Sequence, residues 1–98
     1  MITIDVSNNI ALTVLDLRSN TLSAIDVSNN TALNILNLRN NALTAIDLTN
    51  NTALTELYLS RDTSALFAGE TFPLFTINLA NNTALTHLAL RFLSLIHI

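Results

Sequence analysis

The sequence contains no cysteine and no tryptophan, and it has one glycine, Gly69, and one proline, Pro73. The absence of cysteine excludes disulfide bonds and thiolate metal sites. Glycine and proline are the usual turn residues, so this chain of 98 residues must make most of its turns with other residues. The abundant asparagine and threonine are the candidates for that role.

Cations are also scarce, because the chain has no lysine, four Lys and Arg residues in total and a net charge of -3. Nucleic-acid binding needs clustered cations, so we expect no nucleic-acid partner. No apolar run approaches the roughly 18 to 20 residues that span a bilayer, and we expect no membrane insertion. The opening MITIDVSNN has no basic segment followed by an apolar one, so we expect any export signal to lie outside these residues.

A repeat of 21 residues organises the chain as a single domain. Residues 11–31 read ALTVLDLRSNTLSAIDVSNNT and residues 32–52 read ALNILNLRNNALTAIDLTNNT. Residues 53–83 begin ALTELYLS and end FTINLANNT, with ten extra residues near 63–72. Residues 1–10 and 84–98 are partial repeats. Each full repeat contains the pattern LxxLxLxxN twice, as in Leu12, Leu15, Leu17 and Asn20, then Leu22, Ile25, Val27 and Asn30.

The alternation of apolar and polar residues in each half predicts a short strand, with the apolar side chains inward. Each repeat is therefore predicted to carry two strands, one around Leu15 and one around Ile25. No repeat can bury its own edges, so the repeats must stack, at about 4.8 Å per strand. This predicts a β-rich solenoid with two parallel sheets facing each other across a leucine core.

The asparagine that closes each half is predicted to face inward. A tight turn leaves main-chain groups unpaired, and an amide side chain offers both a donor and an acceptor to satisfy them. The asparagines before them, Asn29, Asn50 and Asn81, are predicted to point outward or to adopt a left-handed conformation. The predicted inward columns are Asn20 and Asn41 in one half, and Asn9, Asn30, Asn51 and Asn82 in the other.

The pattern LxxLxLxxN at this period, over residues 1–91, resembles the leucine-rich repeats of bacterial surface proteins, particularly the internalin-like type. The resemblance implies a curved right-handed solenoid that binds proteins or glycans through the exposed residues of one sheet. It also implies a secreted or cell-surface location, and we expect the chain to be a fragment of a longer bacterial protein. The two halves are so alike that the sequence leaves open which sheet is concave.

The two predicted sheets differ in their outward residues. One repeats an acidic column, Asp5, Asp26 and Asp47, beside small residues, whereas the other is chemically varied, as a recognition surface is. We predict that a protein or glycan binds the varied face, although a solvated charge ladder remains the alternative. The predicted binding residues are Asp16, Arg18, Asn37, Arg39, Glu56, Tyr58, His87 and Arg91.

Neither a metal, nor a cofactor, nor catalysis is predicted. The aspartate column has the oxygen ligands that Ca²⁺ prefers, but single aspartates one repeat apart do not converge on one point. His87 has Glu56 as its in-phase carboxylate but no nucleophile motif. We therefore interpret both features as surface groups. Two other functions stay open: a structural spacer in a larger adhesin, and a repeat array attached to an enzyme domain.

Two segments depart from the repeat. The ten extra residues contain Phe67 and Phe72, and Asp62 or Thr63 is expected to cap a short helix over residues 64–68. Both a packed excursion and a binding protrusion fit them. The last segment, LSLIHI, returns to the apolar frame but is also similar to translated sequencing-adapter sequence, and no role is assigned to His97.

Overall fold

The computed structural model describes residues 3–43, 45–59, 76–89 and 95–97. This part of the chain forms six strands of three residues each and no helix. The extra residues near 63–72 and the side chain of Arg91 lie outside the described residues. The strands are β1 (Val14–Asp16), β2 (Ile35–Asn37), β3 (Glu56–Tyr58), β4 (Thr76–Asn78), β5 (His87–Ala89) and β6 (Leu95–His97).

Four of the strands form one parallel sheet in the order β1-β2-β3-β5. Val14 pairs with Ile35, Ile35 with Glu56, and Glu56 with His87. The first two offsets are 35 − 14 = 21 and 56 − 35 = 21 residues, and the third is 87 − 56 = 31 residues. The offsets equal the sequence period, plus the ten extra residues in the third case. The insertion therefore leaves the register unchanged.

The core consists of the inward residues of successive repeats. The central leucines of the first three strands, Leu15, Leu36 and Leu57, are 8%, 0% and 0% exposed. Leucines from the turns pack against them in one cluster that includes Leu22, Leu33 and Leu54. Burying a leucine stabilises a fold by about 1.5 to 3 kcal/mol, so this stack is the main source of stability.

The prediction of a second strand in every repeat is wrong for the first two repeats. Residues 24–27 form no strand, and among the described residues 45–48 of the second repeat Ala45 makes an isolated bridge. In the third repeat β4 does form, and it pairs in parallel with β6. Elsewhere on this side, asparagine side chains link the repeats. For example, the Nδ2 groups of Asn29 and Asn50 lie 3.4 and 3.3 Å from the carbonyl oxygens of Ser7 and Ser28.

Three asparagines of the longer column lie in the core. Asn30, Asn51 and Asn82 are 0%, 0% and 4% exposed. Each amide nitrogen bridges two carbonyl oxygens of the preceding repeat. For Asn51 these belong to Val27 and Asn30, at 3.1 and 2.9 Å. The amide oxygens of the three residues have no hydrogen-bond partner among the described residues. The column therefore works through its donors.

The shorter column is used differently. Asn41 is buried, and its Nδ2 donates to the carbonyl oxygen of Leu17 at 2.9 Å. Its Oδ1 accepts the main-chain N–H of Leu22 at 3.0 Å, so both ends of this amide are engaged. Asn20 is half-buried and donates to the carbonyl oxygen of Leu17 in its own repeat, at 2.9 Å.

Asn9 was predicted to be inward, but it is exposed. It takes part in the column through its carbonyl oxygen, which accepts the Asn30 amide at 2.9 Å. Its side chain has no such role, because no earlier repeat lies beneath it in the described part of the chain. Asn29, Asn50 and Asn81 are exposed. The left-handed residues among those described are instead Ser19 and Asn40, with φ of 59° and 57°, in the other turn of the repeat.

We expect Asn51→Ala to lower the free energy of unfolding by about 1 to 3 kcal/mol, because two buried hydrogen bonds between repeats are lost and each carbonyl oxygen keeps only its main-chain N–H partner. Asn50→Ala is the matched control. Asn50 is exposed and its amide makes a single 3.3 Å contact, so its loss is expected to cost less than about 0.5 kcal/mol. Denaturant titration of both variants gives the two values.

The variant Asn51→Asp distinguishes the contribution of the hydrogen-bond donor from that of the side-chain volume. The carboxylate keeps the shape but faces two carbonyl oxygens without a proton to donate, so it should destabilise the protein more than alanine does at neutral pH. Equal unfolding midpoints for the alanine variants at Asn50 and Asn51 would contradict the assignment of the column.

Candidate binding face

The parallel register defines two outward columns on the four-stranded sheet, one on each side of the central leucines. Together they form what is here called the outer face. Its described residues mix apolar, acidic, amide, aromatic and imidazole groups. The first column contains Val14, Ile35, Glu56 and His87, and the second contains Asp16, Asn37, Tyr58 and Ala89.

Three residues at the centre of the outer face hold one another in place. The Cζ atom of Arg39 lies 4.4 Å from the ring centroid of Tyr58, which is a cation–π distance. The Tyr58 hydroxyl donates to Glu56 Oε1 at 2.5 Å. All three residues are half-buried. The Arg39–Tyr58–Glu56 cluster therefore presents an aromatic ring that is fixed at its hydroxyl end and stacked against a cation.

The cluster perturbs the phenol of Tyr58. The hydrogen bond to Glu56 raises the pKa of Tyr58 above its ordinary value, and burial and the negative charge of Glu56 act in the same direction. The positive charge of Arg39 opposes this rise. Ionising the phenol would break a hydrogen bond and place two negative charges side by side, which explains the direction of the shift.

The neighbouring repeat shows a different arrangement. The Nε atom of Arg18 lies 3.3 Å from Asp16 Oδ2, and the two side chains are 60% and 41% exposed. Exposed pairs of this kind contribute little to stability, in the range of about 0 to 1 kcal/mol. Arg18 is thus neutralised within its own repeat, whereas Arg39 is stacked on Tyr58.

Asn37 is not the exposed contact residue that the sequence predicts, since it is only 8% exposed. It lies in register with Asp16 on strand β1 and with Tyr58 on strand β3, the two strands that flank β2. Its Oδ1 accepts the main-chain N–H of Arg39 at 3.2 Å. Asn37 therefore orients the backbone from which Arg39 projects.

His87 is exposed and lies beside Glu56 in the register of β3 and β5. Its Nδ1 atom lies 3.0 Å from the Thr86 hydroxyl. Thr86 belongs to a column that the sequence analysis did not single out. The hydroxyls of Thr55 and Thr86 each donate at 3.2 Å to a carbonyl oxygen of the repeat below, on Asn34 and Thr55. Threonine precedes β1, β3 and β5, and this recurrence was the available signal for the column.

The aspartate column has a structural task that the sequence analysis also missed. Oδ1 of Asp26 accepts the N–H and the hydroxyl of Ser28, at 2.9 and 2.6 Å. Asp47 does the same with Thr49, at 2.9 and 2.7 Å. These bonds hold the pKa values of both aspartates below the usual value. For Asp26 the larger contribution comes from the hydroxyl of Ser28, and for Asp47 it comes from the main-chain N–H of Thr49. An aspartate two positions before serine or threonine is the sequence signal of this turn.

Neither a metal centre nor a membrane span emerges from the part of the chain that the structure covers. Within residues 3–43, 45–59, 76–89 and 95–97, no three His, Asp or Glu residues come close enough together to hold a metal ion. In the same ranges, no helix has the length and apolar character needed to cross a bilayer.

The described residues thus have a β-rich fold like that of leucine-rich repeat proteins, with one short strand of each repeat in a common parallel sheet. Among such proteins, the chain is similar to the functional domain of InlJ from Listeria monocytogenes, an internalin, which is described as including a cysteine ladder. The two share 27% sequence identity with a TM-score of 0.64, over 94% of this chain and 23% of that one. This chain thus spans about a quarter of the InlJ chain. It contains no cysteine, and its own buried columns contain asparagine. No protein-family model matches the sequence, and no curated protein matches it.

The cluster predicts an optical titration that can be assigned without ambiguity, because Tyr58 is the single tyrosine and the chain has no tryptophan. We expect the phenol of the folded protein to ionise above the ordinary tyrosine pKa. Glu56→Gln should lower that pKa, because the negative charge is removed, and Arg39→Gln should raise it further. Ultraviolet difference absorption against pH measures all three proteins.

The corresponding effect on stability has a defined sign. A raised folded-state pKa contributes stability that is present below the unfolded value of 10.0 and is lost as the pH rises through the folded value. A wild-type titration at the ordinary tyrosine pKa, unchanged in Glu56→Gln, would show that the hydroxyl is not bound to Glu56.

Proposed function

We propose that this chain is a non-catalytic recognition module that binds another macromolecule through the outer face of its four-stranded sheet. The observation that carries the proposal is the Arg39–Tyr58–Glu56 cluster, formed by β3 and the turn that follows β2. Tyrosine and arginine are the residues that most often supply binding energy at interfaces, by up to about 2 to 4 kcal/mol each. A cation stacked on a tethered ring loses little conformational freedom on binding.

The setting of the cluster supports this function. The strands are fixed by main-chain hydrogen bonds to the neighbouring repeats, such as Leu38 N–H to the Tyr58 carbonyl oxygen at 2.8 Å. The outer face also exposes an apolar group, Val14, which is 52% exposed. A rigid surface that combines apolar, aromatic and charged groups has the composition of an interface rather than of a solvated ladder.

We further propose that the repeats form a solenoid and that the protein acts outside the cell or at a bacterial cell surface. The likeness to an internalin supports both statements. Of the two other functions, a structural spacer would need no such cluster on one face. A repeat array that serves an enzyme domain would still use the outer face for binding, so the experiment below applies to it as well.

The experiment begins with the purified chain on arrays of extracellular proteins and of glycans. We expect a ligand whose binding falls at least about tenfold in Arg39→Ala/Tyr58→Ala. Asp26→Asn/Asp47→Asn, on the opposite face, is the matched double control and is expected to change the affinity by less than about twofold. Surface plasmon resonance on the ligand gives the dissociation constants.

Circular dichroism of each variant must first show that the fold is retained. Loss of binding in the aspartate variant with retention in the arginine and tyrosine variant would place recognition on the other face. Binding unaffected by either variant would reject both faces and leave the spacer as the better function.

A further inference from the structure

The guanidinium of Arg39 is a cation without a counter-ion among the described residues. The ion pair in this part of the chain joins Arg18 to Asp16, and the contact of Arg39 is with the ring of Tyr58. A guanidinium carries five N–H donors in a planar fork, and stacking on a ring face uses none of them. No described residue accepts a hydrogen bond from the Arg39 side chain, so among these residues its donors are open to an acceptor from a partner.

A single difference between two repeats accounts for this. Asp16 and Asn37 occupy the same position one repeat apart, each two residues before an arginine. Both use Oδ1 to accept the main-chain N–H of that arginine, at 3.2 Å in each case. The second oxygen of Asp16 also binds the Arg18 side chain, whereas the neutral amide of Asn37 gives Arg39 no negative partner. The backbone geometry is the same in the two repeats, but among the described residues Arg39 makes no ion pair, and the carboxylate of its cluster, Glu56, is bound to the Tyr58 hydroxyl.

The groups around Arg39 indicate which class of ligand would carry an anion that binds this residue. Val14 is 52% exposed, and its register partner Ile35 is half-buried, so the first column begins as an apolar strip. Ile35 lies on β2, and Arg39 lies in the turn, two residues after that strand ends. The outer face thus offers an apolar contact and a cation within one repeat, where a single extended peptide can contact both.

We propose, building on the proposed function, that Arg39 docks a carboxylate of a protein partner that lays an apolar side chain on Val14 and Ile35. A side-chain carboxylate matches the guanidinium fork in a bidentate geometry. A polyanionic glycan is the poorer fit: it needs clustered cations, whereas the net charge is -3 and the neighbouring Arg18 is already paired.

The test uses a defined probe and the intact chain. The probe is a blocked hexapeptide with valine at its first position, glutamate four positions later and threonine elsewhere; its matched control has glutamine in place of the glutamate. The readout is the Nε–H signal of Arg39 and the ring signals of Tyr58 in NMR titrations. We expect the glutamate peptide to shift both sets of signals and to bind about tenfold more tightly than the glutamine peptide.

Three variants make the result specific. Arg39→Lys keeps the charge but loses the fork, and should weaken the glutamate peptide about fivefold. Arg18→Lys is the matched control in the next repeat and should leave the affinity within about twofold, because Arg18 is neutralised by Asp16. Asn37→Asp is the sharpest variant. It reproduces the pair of the first repeat, so the side chain of Arg39 should turn to its own repeat and the peptide should bind at least about tenfold more weakly.

Equal affinity for the glutamate and glutamine peptides, or no binding of either, would overturn carboxylate docking. Full binding by Asn37→Asp would also overturn it. A tetramer of galacturonate, tested in parallel, would assign the face to acidic glycans if it bound more tightly than the peptide and shifted the Arg18 and Arg39 signals together. An array ligand lost in Arg39→Ala/Tyr58→Ala, combined with peptides that leave Arg39 unperturbed, would preserve the recognition function and reject carboxylate docking alone.

Discussion

Each repeat buries main-chain carbonyl oxygens beside its leucines, and the buried asparagine amide of the next repeat must find its acceptors among them. This constraint fixes the offset between repeats more firmly than the strands do. Asn51 and Asn82 are 31 residues apart, yet Asn82 donates to the carbonyl oxygens of Leu48 and Asn51 at 3.0 Å each, much as Asn51 does one repeat earlier. The repeat after an extra segment must return in register, because a buried amide donor that loses its acceptors costs about 1 to 3 kcal/mol.

The same constraint frees the outer face. Inward positions are committed to leucine and asparagine, and in the acidic column the turn is held by the carboxylate itself, as in Asp26 with Ser28. On the four-stranded sheet the equivalent acceptor is an aspartate in one repeat and an asparagine in the next, and both perform the task. In the third repeat Tyr58 occupies this position, and the strands stay in register without an amide or carboxylate acceptor there. The position can therefore vary from repeat to repeat without disturbing the stack.

Periodicity predicts what every repeat must share. The 21-residue spacing predicts the pairing of β1, β2 and β3, and the apolar alternation predicts the buried leucines. It does not distinguish a strand from a turn in the second half, where LxxLxLxxN recurs but asparagine side chains replace much of the ladder. It also cannot reveal that Asn37 is buried or that Arg39 lies over Tyr58. Those facts depend on contacts between different repeats, whereas a repeat pattern describes one repeat at a time.

The positions that differ from repeat to repeat are therefore the candidates for function. The outward column that contains Asn37 shows how such differences change the interactions of the arginines. From β1 to β5 the outward position carries Asp16, Asn37, Tyr58 and Ala89. The first neutralises its own arginine, the second holds the backbone of the next arginine without neutralising it, and the third receives that arginine on its ring. Aspartate at the second position could accept the same N–H, but it would bring a negative charge to a site that is only 8% exposed. Asparagine at that position holds the turn without a charge, and it leaves Arg39 without an ion-pair partner in its own repeat.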